Sequence, residues 1–244
     1  MIAAQTERDA QRFIELGMPE SRMHVTGNLK FDISVPASIA EQAQSLKRYL
    51  SVNRPVWIAA STQEGEEEFI LEAHRQVLVQ YSNAILILAP RHPDRIARVA
   101  GLCDKYGLRY LKRTDHSDFQ ENYPVYLLDT LGELHLHYLA SQVAFVGGSL
   151  VNTGGQNMME PAGLGLPVLS GPHTYNFTEV TELLLQPGSL IIVNNAAELA
   201  QQVCLLLGDA NLRHNLGMKG KAVINHNKGN IDRLLQLISP YLSA

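Results

Sequence analysis

Three places in this sequence have the residue types to hold a phosphorylated ligand. Arg91, within Pro90-Arg91-His92-Pro93, directly follows the apolar run 84–89. A guanidinium at the carboxyl end of a strand can grip a phosphate through two parallel N–H bonds; it can equally form a surface ion pair. His92 could hold the same anion, act as an acid, or simply pack the turn. The second place is a glycine-rich stretch. Gly147, Gly148, Gly154 and Gly155 follow the apolar run 143–146 and lead into Gln156-Asn157. Glycine lets backbone N–H groups come close to a ligand, and the positive end of a following helix suits an anion. The spacing is neither G-x-G-x-x-G nor a P-loop.

Glu160 is the third. Asn157-x-x-Glu160 has the spacing of a capping box. A helix capped by Asn157 would, however, carry Pro161 at its fourth position, where an N–H is wanted for the first intrahelical bond. A carboxylate released from capping can accept hydrogen bonds from two adjacent hydroxyls, as on a ribose. Ser61-Thr62-Gln63 ends another apolar run. Hydroxyls there could bind an anion or a sugar carboxylate; Thr62 and Gln63 are candidates for lining the same cleft, whereas Ser61-x-x-Glu64 also reads as a capping box that needs no ligand. Glu64, Glu66, Glu67 and Glu68 favour a helix N-terminus electrostatically. Gly132, in Asp129-Thr130-Leu131-Gly132-Glu133, would allow close backbone approach to a base; the plain alternative is an Asp or Thr N-cap. His135 and His137, two apart on a helix, point apart and make a poor metal pair.

Elements of one recurring pattern must position these residues. Apolar strands are expected at 55–60, 84–89, 125–128, 143–146, 167–170 and 190–193, with a weak one at 109–112 and a short one at 23–26. Helices are expected at 7–16 behind Thr6 as N-cap, and at 38–49, 64–81, 93–106, 131–140 and 177–185. The chain is helical from 196 onward, with breaks near Gly208 and Gly229. Residues 114–122 read as a polar loop. Wholly apolar strands alternating with helices imply a parallel sheet covered on both faces, a doubly wound Rossmann-like α/β domain. Its ligand belongs at the carboxyl ends of the strands, near a switch point.

Composition sets outer bounds. The 244 residues are 45% hydrophobic and 18% charged, an ordinary globular balance. A net charge of -4 argues against a nucleic-acid surface. Cys103 and Cys204 have no metal spacing and fit reduced thiols in a cytoplasmic protein. No apolar run reaches the ~18 residues of a transmembrane helix.

Six blocks in one order resemble the lipopolysaccharide Kdo (3-deoxy-D-manno-octulosonic acid) transferases. They are Gly27-Asn-Leu-Lys-Phe-Asp32, Ala60-Ser-Thr-Gln-Glu-Gly-Glu-Glu67, Pro90-Arg-His-Pro93, Asp129-Thr-Leu-Gly-Glu-Leu134, Gly154-Gly-Gln-Asn157 with Glu160-Pro-Ala162, and Gly171-Pro-His-Thr-Tyr-Asn-Phe177. The resemblance implies the C-terminal, donor-binding half of a GT-B glycosyltransferase, with no cofactor and no metal, in keeping with the lack of an Asp-x-Asp motif. It implies CMP-Kdo as donor and a lipid A precursor as acceptor, at the cytoplasmic face of the bacterial inner membrane. It also implies that Leu131, Gly132 and Glu133 contact the cytidine, that Glu160 holds the ribose, and that Arg91, Asn157 and the backbone of Gly155 and Gln156 meet the phosphate. The acceptor site and the catalytic glutamate would lie in an N-terminal domain outside the matching region, so no residue here is expected to be the base, and the chain alone is expected to be inactive. Gln63 and Gln156 stand where the family commonly has His, so any cationic help from those positions is missing. The expected layout is a connecting helix and first strand at 1–26, the donor domain at 27–228 and a C-terminal helix at 229–244. Another GT-B nucleotide-sugar transferase or epimerase, and a non-catalytic nucleotide-binding module, remain the alternatives.

Overall fold

The computed structural model describes residues 1–32, 36–50, 54–115 and 123–242. From residue 116 on, the expected loop at 114–122 lies outside these. In chain order the strands are β1 (Ile2–Ala4), β2 (Met23–Val25), β3 (Val56–Thr62), β4 (Ile85–Pro90), β5 (Tyr110–Lys112), β6 (Val125–Leu127), β7 (Val143–Val146), β8 (Val168–Ser170) and β9 (Leu190–Ile192). The helices are α1 (Glu7–Glu15), α2 (Ala37–Leu50), α3 (Glu66–Gln80), α4 (Ile96–Lys105), α5 (Leu134–Ala140), α6 (Met159–Leu164), α7 (Thr178–Leu185), α8 (Ala196–Gly208), α9 (Ala210–His226) and α10 (Asn230–Leu242). The chain divides into two compact units, Met1–Ser34 with Ala222–Ala244, and Val35–Lys221. The sequence reading sets its breaks after residues 26 and 228.

The larger unit is built on a seven-stranded sheet of order β5-β6-β4-β3-β7-β8-β9, parallel throughout. From β3 the chain passes outward to β4 and then to the edge strand β5, inserts β6 between those two, and returns to place β7 on the other side of β3. The winding thus reverses between β3 and β7, which makes the crevice at their carboxyl ends the natural ligand position. Alternation explains the apolar strands. Trp57 and Ala59 of β3, with Leu86 and Leu88 of β4, pack with Ile70, Leu71 and Val77 of α3 and Leu199 and Val203 of α8. Ile58 and Ala60, with Ile85 and Ile87, face the opposite way into a cluster with Leu50 and Tyr138. Both faces are covered, so neither can be polar; full burial of one such side chain is worth about 1.5–3 kcal/mol. A polar pair within this core is satisfied. Trp57 Nε1–H donates to His74 Nδ1 (3.1 Å), and His74 Nε2 lies 2.9 Å from Pro124 O. Burial pushes the His74 imidazole down to about 3, so it is neutral.

In the smaller unit β1 and β2 pair in parallel, and Thr6 caps α1 by accepting from Asp9 N. β1 is too short and too ordinary in composition (Ile-Ala-Ala) to be read from sequence. Asp32 acts across the chain: its carboxylate accepts from Gly229 N (2.6 Å) and Ile231 N (2.8 Å) at the start of α10. Partial burial opposes the charge, but the N–H groups of Ile231, Gly229 and Asn230, with Arg233, hold the carboxyl below its ordinary value. A group shifted down stabilises above its unfolded pKa and loses that effect as pH falls through the folded one. Asp32→Ala is therefore expected to cost about 1 kcal/mol near neutral pH, the usual worth of a cap, and to converge with wild type in acid once pH has fallen through the lowered folded pKa. Hydrogen exchange of the first-turn amides of α10 across that range checks it. Among the described residues, no helix is long and apolar enough to cross a membrane.

Candidate functional site

A cleft of about 270 Å³ opens at the carboxyl edge of the sheet. Pro90 and Arg91 enter it from the end of β4, Leu131 and Gly132 from the loop after β6, and Gln156, Asn157 and Glu160 from the glycine-rich loop and α6. Seven of the residues singled out from sequence thus meet in one place. Arg91 is exposed, and among the described residues its guanidinium has no acidic partner within 4 Å, so the surface ion-pair reading is not realised. Its backbone N–H is used structurally, donating to Thr62 O at 2.9 Å.

Glu160 sits at the start of α6. Its Oε1 accepts from Asn157 Nδ2 (2.9 Å), and its Oε2 lies 3.8 Å from His135 Nε2, a nitrogen that is itself buried without a hydrogen-bond partner. Asn157 Oδ1 accepts from Met159 N (3.1 Å), so Asn157 does cap this turn. The helix begins at Met159, one residue later than a box capped by Asn157 would require. Pro161 then occupies the third helical position, whose N–H has no intrahelical acceptor in any helix. Glu160 does not bond back to the Asn157 N–H, and it faces the cleft.

The glycine-rich loop is held from below by a buried carboxylate. Glu66, in the first turn of α3 and 0% exposed, accepts from Ser149 N (3.0 Å) and Leu150 N (2.9 Å) at Oε1, and from Gly148 N (2.7 Å) and Gln63 N (3.2 Å) at Oε2. Burial pushes its carboxyl up while these N–H groups pull it down, and burial prevails. Gly147 makes the approach possible: a Cβ there would lie 2.6 Å from Glu66 Oε2 and 2.7 Å from Thr62 Cα. The segment after β8 braces the loop from the other side. Asn176 N donates to Gly154 O (3.0 Å), Asn176 Nδ2 to Thr153 O (3.1 Å), and His173 N to Ser149 O (3.0 Å).

Several expectations are corrected by this geometry. Thr62 is fully buried and donates its hydroxyl to Glu67 Oε1 (2.8 Å), which also takes a bidentate pair from Arg95, so Thr62 does not line the cleft. Gln63 spends its backbone N–H on Glu66 and is not part of the lining. Ser61 is not a helix cap: α3 is capped at Gly65, and Ser61 is a cleft residue. Gly155 donates its N–H to Gly148 O (2.7 Å), leaving none for a phosphate. At Gly154 the close approach that glycine permits is to Tyr175 and Asn176, whose side-chain atoms a Cβ would meet at 2.5 and 2.3 Å. His92 is exposed beside the cleft rather than in it. Glu133 turns away, bound twice by Arg113 (both 3.1 Å) and by the Thr130 hydroxyl. Although its burial opposes the charge, Thr130 and Arg113 hold its carboxyl below the ordinary value. His137 bonds through Nδ1 to Glu133 O, away from His135, so the two histidines serve different neighbours.

Sequence reasoning missed Leu128, Thr130, Leu134 and Tyr138 and set Ser61 aside as a cap; all five line the cleft. Leu134 and Tyr138 are four apart, one face of α5, a helical signal that was available. The Tyr138 ring is buried; burial, and then the charge of Glu160, keep its phenol well above its ordinary value, so it stays protonated.

A parallel sheet wound in both directions from β3, with a cation, a carboxylate and a glycine-rich loop around a cleft at its carboxyl edge, is the C-terminal half of a GT-B glycosyltransferase. Comparison with known proteins narrows the class. A family model described as 3-deoxy-D-manno-octulosonic-acid transferase (kdotransferase) matches residues 1–33. The 3-deoxy-D-manno-octulosonic acid transferase of Haemophilus influenzae is 41% identical over 99% of this chain and 57% of its own length; that of Bordetella pertussis is 32% identical over 99% and 56%. The C-terminal CMP-Kdo binding domain of WaaA from Acinetobacter baumannii superposes with a TM-score of 0.73 at 32% identity, over 78% of this chain and 99% of that domain. Anabaena HepE, solved with UDP and glucose, shares the fold at a TM-score of 0.61 and 15% identity, over 100% of this chain and 63% of its own. The chain belongs to the 3-deoxy-D-manno-octulosonic acid transferase family. It spans a little over half the length of the curated relatives it matches.

Proposed function

We propose that this chain is the donor-binding part of a Kdo transferase and that the cleft holds the CMP moiety of CMP-Kdo. The observation that carries the reading is the convergence of Arg91 and Glu160 on one cleft that Gly132 also lines: a cation without an acidic partner among the described residues, and a carboxylate with one oxygen hydrogen-bonded to Asn157. On this reading Arg91 meets the phosphate, with Asn157 and the Gln156 backbone beside it. Glu160 accepts from the ribose hydroxyls, and Leu131 and Gly132 border the cytosine. A guanidinium beside the bond that breaks also favours the leaving nucleotide as charge develops on its phosphate. The whole protein would transfer Kdo to a lipid A precursor at the cytoplasmic face of the inner membrane. The acceptor site and the catalytic glutamate would belong to the part of the longer relatives that this chain does not match, so the chain by itself binds donor without transferring it.

Calorimetric titration of the chain with CMP, with UMP as control, tests this. Binding of CMP with UMP at least about tenfold weaker is expected, because cytosine and uracil differ in hydrogen-bond pattern and a mismatched edge leaves groups unpaired. Equal affinity for the two would instead support a GT-B protein of other donor specificity, and binding of neither would overturn the assignment of the cleft.

A further inference from the structure

Ser61 is the only non-glycine residue with a left-handed backbone among the described residues, at φ 56°. Its conformation follows from a bulge. β3 and β4 pair in regular register from Val56↔Ile85 to Ala60↔Ala89, and the next pair is Thr62↔Pro90. One residue, Ser61, is left over.

The bulge changes which side chain goes where. Along β3, Trp57 and Ala59 face the α3 side, and Ile58 and Ala60 the other. Strict alternation would send Ser61 toward α3 and Thr62 away from it. Instead Thr62 reaches Glu67 of α3, and Ser61 lines the cleft. The chain on either side is fixed: Gly147 N donates to Ala60 O (2.8 Å), Arg91 N to Thr62 O (2.9 Å) and Gln63 N to Glu66 Oε2 (3.2 Å). Left-handed backbone is unfavourable for a residue with a Cβ and persists where its surroundings impose it, commonly at ligand sites. Glycine would fit the bulge without that strain. The sequence carries a hydroxyl there, and among the described residues that hydroxyl has no hydrogen-bond partner.

We propose that the Ser61 hydroxyl is a ligand contact, donating to the phosphate group that Arg91 pairs with. Ser61 and Arg91 leave the carboxyl ends of neighbouring strands, flank the Thr62↔Pro90 pair and line the same cleft. A guanidinium supplies only N–H donors, and a hydroxyl adds an O–H donor from a second direction. Glu160 carries negative charge in the same cleft and directs the anion to the Arg91 end. The inference rests on the nucleotide reading given above.

The test is titration of CMP and of cytidine into wild type, Ser61→Ala and Ser61→Gly, with the thermal midpoint of each. Both variants are expected to bind CMP about tenfold more weakly, the loss of one charge-assisted hydrogen bond, with cytidine affinity unchanged. Ser61→Gly is expected to melt no lower than wild type, which separates lost binding from lost folding. CMP affinity within about twofold of wild type in both variants would make the bulge purely structural. Equal weakening of CMP and cytidine would take the hydroxyl off the phosphate. Either overturns this inference alone, whereas failure of wild type to bind CMP overturns the nucleotide reading with it.

Discussion

Glu66→Ala lowers the unfolding free energy by about 3–4 kcal/mol, the largest effect expected of any single substitution near the cleft. The side chain is 0% exposed and takes one N–H from Gln63 and three, in succession, from Gly148, Ser149 and Leu150. Each buried donor left unpaired costs about 1–3 kcal/mol, so four would sum to roughly 4–12. Two effects reduce this. Removing the carboxylate also removes the cost of burying its charge, the same burial that pushes its pKa up. Water can enter the space and satisfy some of the amides. The net is accordingly placed near the lower bound. Glu64, two residues earlier, is exposed and forms a surface pair with Arg98, so Glu64→Gln is expected to stay within about 0.5 kcal/mol of wild type. Chemical denaturation of the two variants checks both values. A Glu66→Ala loss below about 1 kcal/mol would mean that the glycine-rich loop finds other acceptors and that the carboxylate does not hold it.

This result bears on how much could be read from the residues alone. The doubly wound sheet was legible because its strands are buried on both faces and therefore apolar throughout, while helical spacing marks the elements between them. Arg91, Gly132 and Glu160 were legible because each follows such a strand or opens the helix after it, while Leu131 and Asn157 came in with the family resemblance. What was not legible is which polar groups serve the fold. Glu66 looks like its acidic neighbours Glu64, Glu67 and Glu68, yet only the three-dimensional approach of β7 to α3 gives it buried amides to hold. Glu67 is spent on Arg95 and Thr62. Glycines at 154 and 155 suggested a ligand, but they serve close packing against residues 173–176 and a loop bond to Gly148. The motif 171–177 is explained the same way, as the brace of that loop. Ser61 and Thr62 exchange their expected faces because of one extra residue in β3, and a bulge has no signature in the residue types around it. Motif spacing therefore picked out residues that share one cleft. It misassigned side chains wherever a long-range contact competed for the same group.

Glu160→Gln weakens CMP binding by roughly ten- to a hundredfold, and the loss is confined to ligands carrying ribose hydroxyls. Glutamine keeps the shape of the side chain and one oxygen, which Asn157 Nδ2 can still reach, while the Met159 amide stays capped by Asn157 Oδ1. The thermal midpoint is thus expected to be unchanged. What is lost is the charged acceptor: a hydrogen bond to a carboxylate contributes about 1.5–3 kcal/mol, against about 0.5–1.5 for a neutral one. Removing the charge also relieves repulsion of the phosphate, which works in the opposite direction. In a cleft open to water two unit charges that are not in contact repel by well under about 1 kcal/mol, less again with salt, so the lost hydrogen bonds win. A cycle with 2′-deoxy-CMP isolates the contact. Wild type is expected to prefer CMP by about tenfold or more, and the variant by no more than about twofold. If the variant kept the full preference for CMP, the ribose would be held elsewhere in the cleft, and Glu160 would be a member of the Asn157 turn and nothing more.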